Sequence, residues 1–215
     1  MNKFYAFLAI VGLTITSNAQ TTLGMRGGAN LATVNMSDEF DIDTKYRFGA
    51  TGGIFVNIPV NQNFSIQPEL LYSGQGYQYD FKEPVGNYLW DVKTTIKSDY
   101  LTLPVFVKYK FKNGLTLELG PQISYLLEGQ INQIIEEKSG NDVVNTSSVR
   151  MYLNDYELAN KLDYSGVVGV GYEMKGGYSI NARYTHGFRD FFGYGEDLKN
   201  TNSYLSLTVG IPFLK

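Results

Sequence analysis

The chain has 215 residues, room for one domain of ordinary size, and its formal net charge of -3 is too mildly acidic to point to nucleic acid as a partner. Cysteine is absent, which excludes disulfides and thiolate metal sites. Hydrophobic residues make up 43%, yet past the N-terminus no run approaches the roughly 18 uninterrupted apolar residues of a membrane-spanning helix, so any passage through a membrane has to use strands.

In chain order, the first feature is an export signal. Lys3 supplies a basic start, residues 4–15 an apolar stretch, and Ser17, Asn18 and Ala19 a small-residue cleavage site. Residues 1–19 are therefore expected to be removed, leaving 20–215 as one domain. From Leu23 onward apolar residues recur with a period of two. Leu23, Met25, Ala29 and Leu31 mark the first segment, Phe48, Ala50, Ile54, Val56 and Ile58 the second, Phe64, Ile66, Leu70 and Tyr72 the third. Leu101, Leu103, Val105, Val107 and Tyr109 form the fourth, which turns at Lys112, Asn113 and Gly114 into Leu115, Leu117, Leu119, Ile123 and Tyr125. Tyr164, Val168, Val170 and Tyr172 turn at Lys175, Gly176 and Gly177 into Tyr178, Ile180, Ala182 and Tyr184, and Leu205, Leu207, Val209, Ile211 and Phe213 close the series.

Eight segments of about ten residues match strands tilted across a bilayer. Their connections alternate between short (59–63, 112–114, 175–177) and long (34–47, 74–98, 128–161, 189–202). The fold class is thus all-β: an eight-stranded, antiparallel, up-and-down transmembrane β-barrel with short periplasmic turns and long extracellular loops. A soluble barrel would carry charge on its outer face. Here the apolar face has no Asp, Glu, Lys or Arg, and the opposite face holds Arg26, Glu69, Lys108, Lys110, Glu118, Glu173 and Arg183. The apolar face is read as facing lipid, and the seven charges as an ion network filling a narrow lumen, since isolated charges there would be costly. Aromatic girdles are expected at the outer rim (Phe48, Tyr72, Tyr125, Tyr164, Tyr184) and the periplasmic rim (Phe64, Phe111, Tyr178, Phe213).

Pro68, Pro104 and Pro121 fall inside adjacent segments although proline cannot donate to a strand ladder. They predict a ladder break or β-bulge at mid-depth, serving as a bend or as a weak point for lateral opening.

Chemistry is sparse. The single His, His186, lies near Arg189 and Asp190, with Asp163 and Ser165 on the neighbouring segment, but its parity points it to lipid and away from catalysis. Acidic runs such as Asp38, Glu39, Asp41 and Asp43 lack calcium-loop spacing and read as solvated surface. No metal, cofactor or catalytic residue is assigned.

As a set, Gly24-Met25-Arg26-Gly27-Gly28-Ala29-Asn30-Leu31, Gln67-Pro68-Glu69-Leu70-Leu71-Tyr72-Ser73, Tyr100-Leu101-Thr102-Leu103-Pro104 with Lys108-Tyr109, and Leu119-Gly120-Pro121 resemble the PorT-like outer-membrane β-barrel family of Bacteroidetes. The resemblance spans essentially the whole mature chain and rests on wall features. It implies outer-membrane localisation, no assigned chemistry, and an accessory part in protein secretion through its namesake. One departure is the C-terminus, where Leu214 and Lys215 follow Phe213.

The expected function is that of a structural, surface-binding or secretion-accessory barrel. Its partners would be outer-membrane lipids and a protein met by the long loop between Glu128 and Lys161, where Val149, Met151, Tyr152, Leu153, Tyr156 and Leu158 supply apolar content. A monomer is expected. The alternatives are a lipid-modifying or proteolytic enzyme at the rim, and a narrow channel.

Overall fold

Period-two alternation with glycine-bearing turns builds antiparallel hairpins, and a computed structural model shows them in residues 21–36, 44–140, 142–153, 160–191 and 200–214. The strands are β1 (Thr22–Met36), β2 (Thr44–Pro59), β3 (Phe64–Val85), β4 (Tyr88–Lys110), β5 (Leu115–Ser139), β6 (Asp142–Tyr152), β7 (Leu162–Glu173), β8 (Ser179–Asp190) and β9 (Asn200–Leu214). Each of β1 to β5 and β7 to β9 pairs with its neighbour, and β9 returns to β1, closing an eight-stranded ring. Among the described residues the remaining strand, β6, pairs only with the outer part of β5. Residues 1–19, for which export is the expectation, and the acidic run 38–43 lie outside the described residues.

Side-chain direction follows the alternation. Leu119, Leu207 and Val168 are 66%, 61% and 53% exposed, whereas Thr116, Glu118, Asn181 and Thr208 on the opposite face are buried. The apolar side chains therefore form the outer, lipid-facing wall and the polar ones the lumen. The aromatics expected at both rims stand on that outer face. At the periplasmic end the turns are tight: Gly114, Gly176 and Gly177 have φ of 94°, 96° and 90°, a region open to glycine, and the Asn113 carboxamide oxygen accepts from the Leu115 amide at 3.1 Å.

One expectation needs correction. The stretches 74–98 and 128–161 are not loops in the main: β3, β4 and β5 run for 22, 23 and 25 residues, and with β6 they form a four-stranded sheet standing beyond the ring. Register shifts between Tyr46 and Thr51 and between Asp99 and Tyr100 mark where this sheet leaves the rim, Leu127 being the inserted residue in β5.

At the prolines the expectation is a ladder break or a β-bulge. Pairing lapses at Pro68 towards β2, at Pro104 towards β3 and at Pro121 towards β4, but the register is the same on both sides of every gap, so no bulge is present. In an antiparallel strand a residue's N–H and C=O point to the same neighbour, so each proline loses its bond on one side alone. On the other side Pro68 pairs with Val105, Pro104 with Gln122 and Pro121 with Gly166. By register the three prolines lie within one residue of the same ladder level, so the gaps form a row across β2 to β5.

Candidate functional site: a filled lumen beneath an outer sheet

At mid-lumen four charges alternate in sign. Arg183 of β8 grips Glu69 of β3 with both terminal nitrogens, Nη1 at 2.7 Å and Nη2 at 2.8 Å, while its Nε donates to Glu118 of β5 at 2.7 Å. Such two-pronged guanidinium contacts are the strong, orientation-fixing kind. Arg26 of β1 lies 3.2 Å from Glu69 through Nε, and its Nη1 donates to the Asn181 side-chain oxygen at 2.6 Å and to Thr208 at 3.0 Å. Asn181 in turn donates to Glu118 at 2.9 Å, and Gln67 to Glu69 at 2.6 Å. The guanidinium of Arg183 also stacks over Phe106, 4.2 Å from the ring centre.

Small wall residues make room for this packing. Arg26 pairs with Gly53 on one side and Gly210 on the other. A Cβ on Gly171 would lie 2.3 Å from the Asn181 side-chain nitrogen and 2.7 Å from the Thr116 hydroxyl. The mid-lumen has a cavity of about 20 Å³, bordered by Thr102, Phe106, Gln122, Thr185 and Tyr204 among others.

Lys108, Lys110 and Glu173 form a separate group nearer the periplasm. Glu173 accepts from Lys108 at 2.7 Å and from Lys110 at 2.6 Å, at the bottom of an open polar cup of about 350 Å³ edged by Asn57, Asn61, Gln62 and Asn63. The seven lumen charges thus fall into two clusters.

Towards the outside the lumen ends in an apolar cap that the sequence reading missed. Val34, Tyr77, Ile96, Tyr100, Leu126, Leu153 and Phe191 pack together, flanked by Tyr79 and Ile131. Leu153, part of the apolar content expected in the long loop, is 1% exposed in this cap. Tyr156 and Leu158 lie outside the described residues. Above the cap, the outer sheet shows charge on one face: Lys93 with Glu136 at 3.5 Å, and Lys138 with Asp91 at 2.6 Å and Glu136 at 3.2 Å. Lys138 holds both carboxyls below their ordinary range, and Asp91 and Glu136 raise Lys138 in return.

The rim residues considered for catalysis are not brought together. His186 lies on the outer face between the rings of Tyr184 and Phe188, its Nδ1 3.1 Å from the Ser203 hydroxyl. Asp163 and Ser165 are buried on the lumen side, where Asp163 meets Asn202 at 3.3 Å. Among the described residues no group of three or more metal-ligating side chains occurs.

A closed ring of tilted antiparallel strands, apolar outside and filled with paired charge inside, defines a transmembrane β-barrel of the bacterial outer membrane. The chain belongs to the outer membrane protein beta-barrel domain family, whose model matches residues 18–193. Among solved structures it is similar to Ail, the attachment invasion locus protein of Yersinia pestis (13% identity, TM-score 0.46, 91% of this chain and 99% of that one). It is also similar to Neisserial surface protein A (12%, 0.48, 90% and 99%) and to the outer membrane enzyme PagL (13%, 0.28, 90% and 99%). No curated protein matches it in sequence.

Proposed function

We propose that this barrel is a non-enzymatic binding or accessory protein of the cell surface, of the PorT-like kind, and that it engages a protein partner through its outer sheet. The observation that carries this reading is β6. Its eleven residues are exposed throughout, and among the described residues only β5 pairs with it. An edge strand is a template for another chain, and proteins that avoid such pairing place charge or proline there. The opposite edge of the sheet, the end of β3, has Asp80, Lys82, Glu83 and Pro84; β6 has Val143, Val144, Val149 and Met151, no proline, and two charged residues, Asp142 at its start and Arg150. Strand addition at β6 is the mode of contact this contrast supports. A role as accessory to secretion is the particular form suggested by the motifs around Arg26, Glu69 and Pro104.

The test is a photo-cross-linker at Ser148 in living cells, compared with one at Asn61 in the periplasmic turn. A discrete protein adduct from Ser148 alone, abolished by Val144→Lys with Val149→Lys while the barrel keeps its heat-modifiable gel mobility, is the expected result. Equal adducts in wild type and the lysine variant would refute it.

A further inference from the structure

At the outer rim β2 and β3 separate. Their pairing stops at Thr51 with Ser73 and resumes, one register step displaced, at Tyr46 with Tyr77. Arg47 crosses the seam and donates to the Gln75 carbonyl. Gly49 and Gly74 face each other so closely that a Cβ on Gly49 would sit 2.1 Å from the Gly74 carbonyl oxygen. Outside this glycine floor the wall opens into a pit of about 320 Å³ whose edge carries Arg47, Lys97, Asp99 and Glu128.

Three facts about the pit point to a ligand. Asp99 and Glu128 are direct cross-strand partners, like charges held opposite each other, an arrangement that destabilises a sheet, and the Tyr72 hydroxyl at the pit wall donates to Asp99. Ion pairs elsewhere on the outer sheet join Lys45 to Asp80, Lys93 to Glu136 and Lys138 to Asp91, yet among the described residues none joins the pit's two cations to its two anions. Its depth is also set: Leu101, two residues after Asp99 on β4, pairs with Tyr72 and Tyr125 of the outer aromatic girdle. Two residues of strand put the pit roughly 7 Å above that girdle, at the level of lipid headgroups.

We propose that the pit is a headgroup site for a phosphorylated lipid of the outer leaflet, bound together with a divalent cation. Arg47 and Lys97 hold phosphate oxygens, and the cation sits between the phosphate and the Asp99–Glu128 pair. Magnesium is commonly held this way, by one or two carboxylates with a ligand's phosphate completing its shell. The four side chains sum to zero charge, so a phosphate entering alone would be opposed by the carboxylates, and a phosphate with its own divalent cation leaves the pit balanced. This inference stands apart from strand addition at β6, which lies on different residues.

The full chain, folded in phosphate-free maltoside micelles, is incubated with diphosphorylated lipid A, with its dephosphorylated form, and with inorganic phosphate, each with magnesium or with EDTA. Retained ligand is read by native mass spectrometry. The expected result is retention of the phosphorylated lipid with magnesium, lowered at least about tenfold by EDTA, by dephosphorylation, or by Arg47→Gln with Lys97→Gln. Asp99→Asn with Glu128→Gln should remove the response to magnesium. Heat-modifiable mobility confirms that each variant is folded. Retention indifferent to EDTA and to both double variants would overturn the site, and displacement of the lipid by inorganic phosphate would overturn its assignment to a lipid.

Discussion

Glu69 illustrates how a carboxylate survives inside a wall of strands. It is fully enclosed, faces two guanidinium groups and takes a further hydrogen bond from Gln67. Desolvating such charges is expensive, and the arrangement persists because every partner is present; withdrawing one leaves the others buried and uncompensated. Glu69→Gln should therefore destabilise the barrel by about 3–5 kcal/mol, measured by urea-induced unfolding from lipid vesicles, with Lys110→Gln at the open cup costing far less. The parity of each charge within its strand was legible, because alternation assigns every residue to one face. The partners were not. Arg183 and Glu69 are 114 positions apart and meet across the lumen through the ring's closure and stagger, which no local pattern encodes. The pit was missed for the same reason, since Arg47, Asp99 and Glu128 come together only through registers on three pairs of strands.

At the scale of elements, the alternating pattern and glycine turns located the eight wall strands, but their outer ends were cut short. Bilayer thickness limits the part of a strand that must be apolar on one face; in water nothing requires the strand to stop. Beyond the rim the outward positions become Lys93, Lys97, Glu136 and Lys138, and this mixture of charged and apolar residues reads as loop when a ten-residue strand is expected. These charges give the sheet a pH dependence. Asp91 and Glu136 have depressed carboxyl values beside Lys138, so their contribution is present above the ordinary carboxylate range and lost as acid titrates the folded form. Lys138 is raised, so its share is complete at neutral pH and lost only in strong base. Protection of the amides at 88–98 and 130–139, measured against intrinsic exchange at each pH, should fall below about pH 4 while that of the wall strands β7 to β9 is kept. Equal loss of protection in both regions would contradict this.

For the whole molecule, the charge clusters and the apolar cap lie in series along one axis, and the cavity of about 20 Å³ between them holds about one water. Reconstituted in a planar bilayer, the purified barrel should show no steady conductance of porin size; such a current would mean that the side chains filling the lumen move aside. The outer sheet has a different consequence. Its strands extend about ten residues past the rim, roughly 33 Å of rigid ribbon, in place of the floppy loops that a surface protein could have carried. The conformational freedom that a loop would surrender on meeting its target has here been surrendered once, during folding. A partner adding a strand at β6, as proposed, would therefore need no search for shape, only for position, at a standoff from the membrane fixed by the length of β4 and β5.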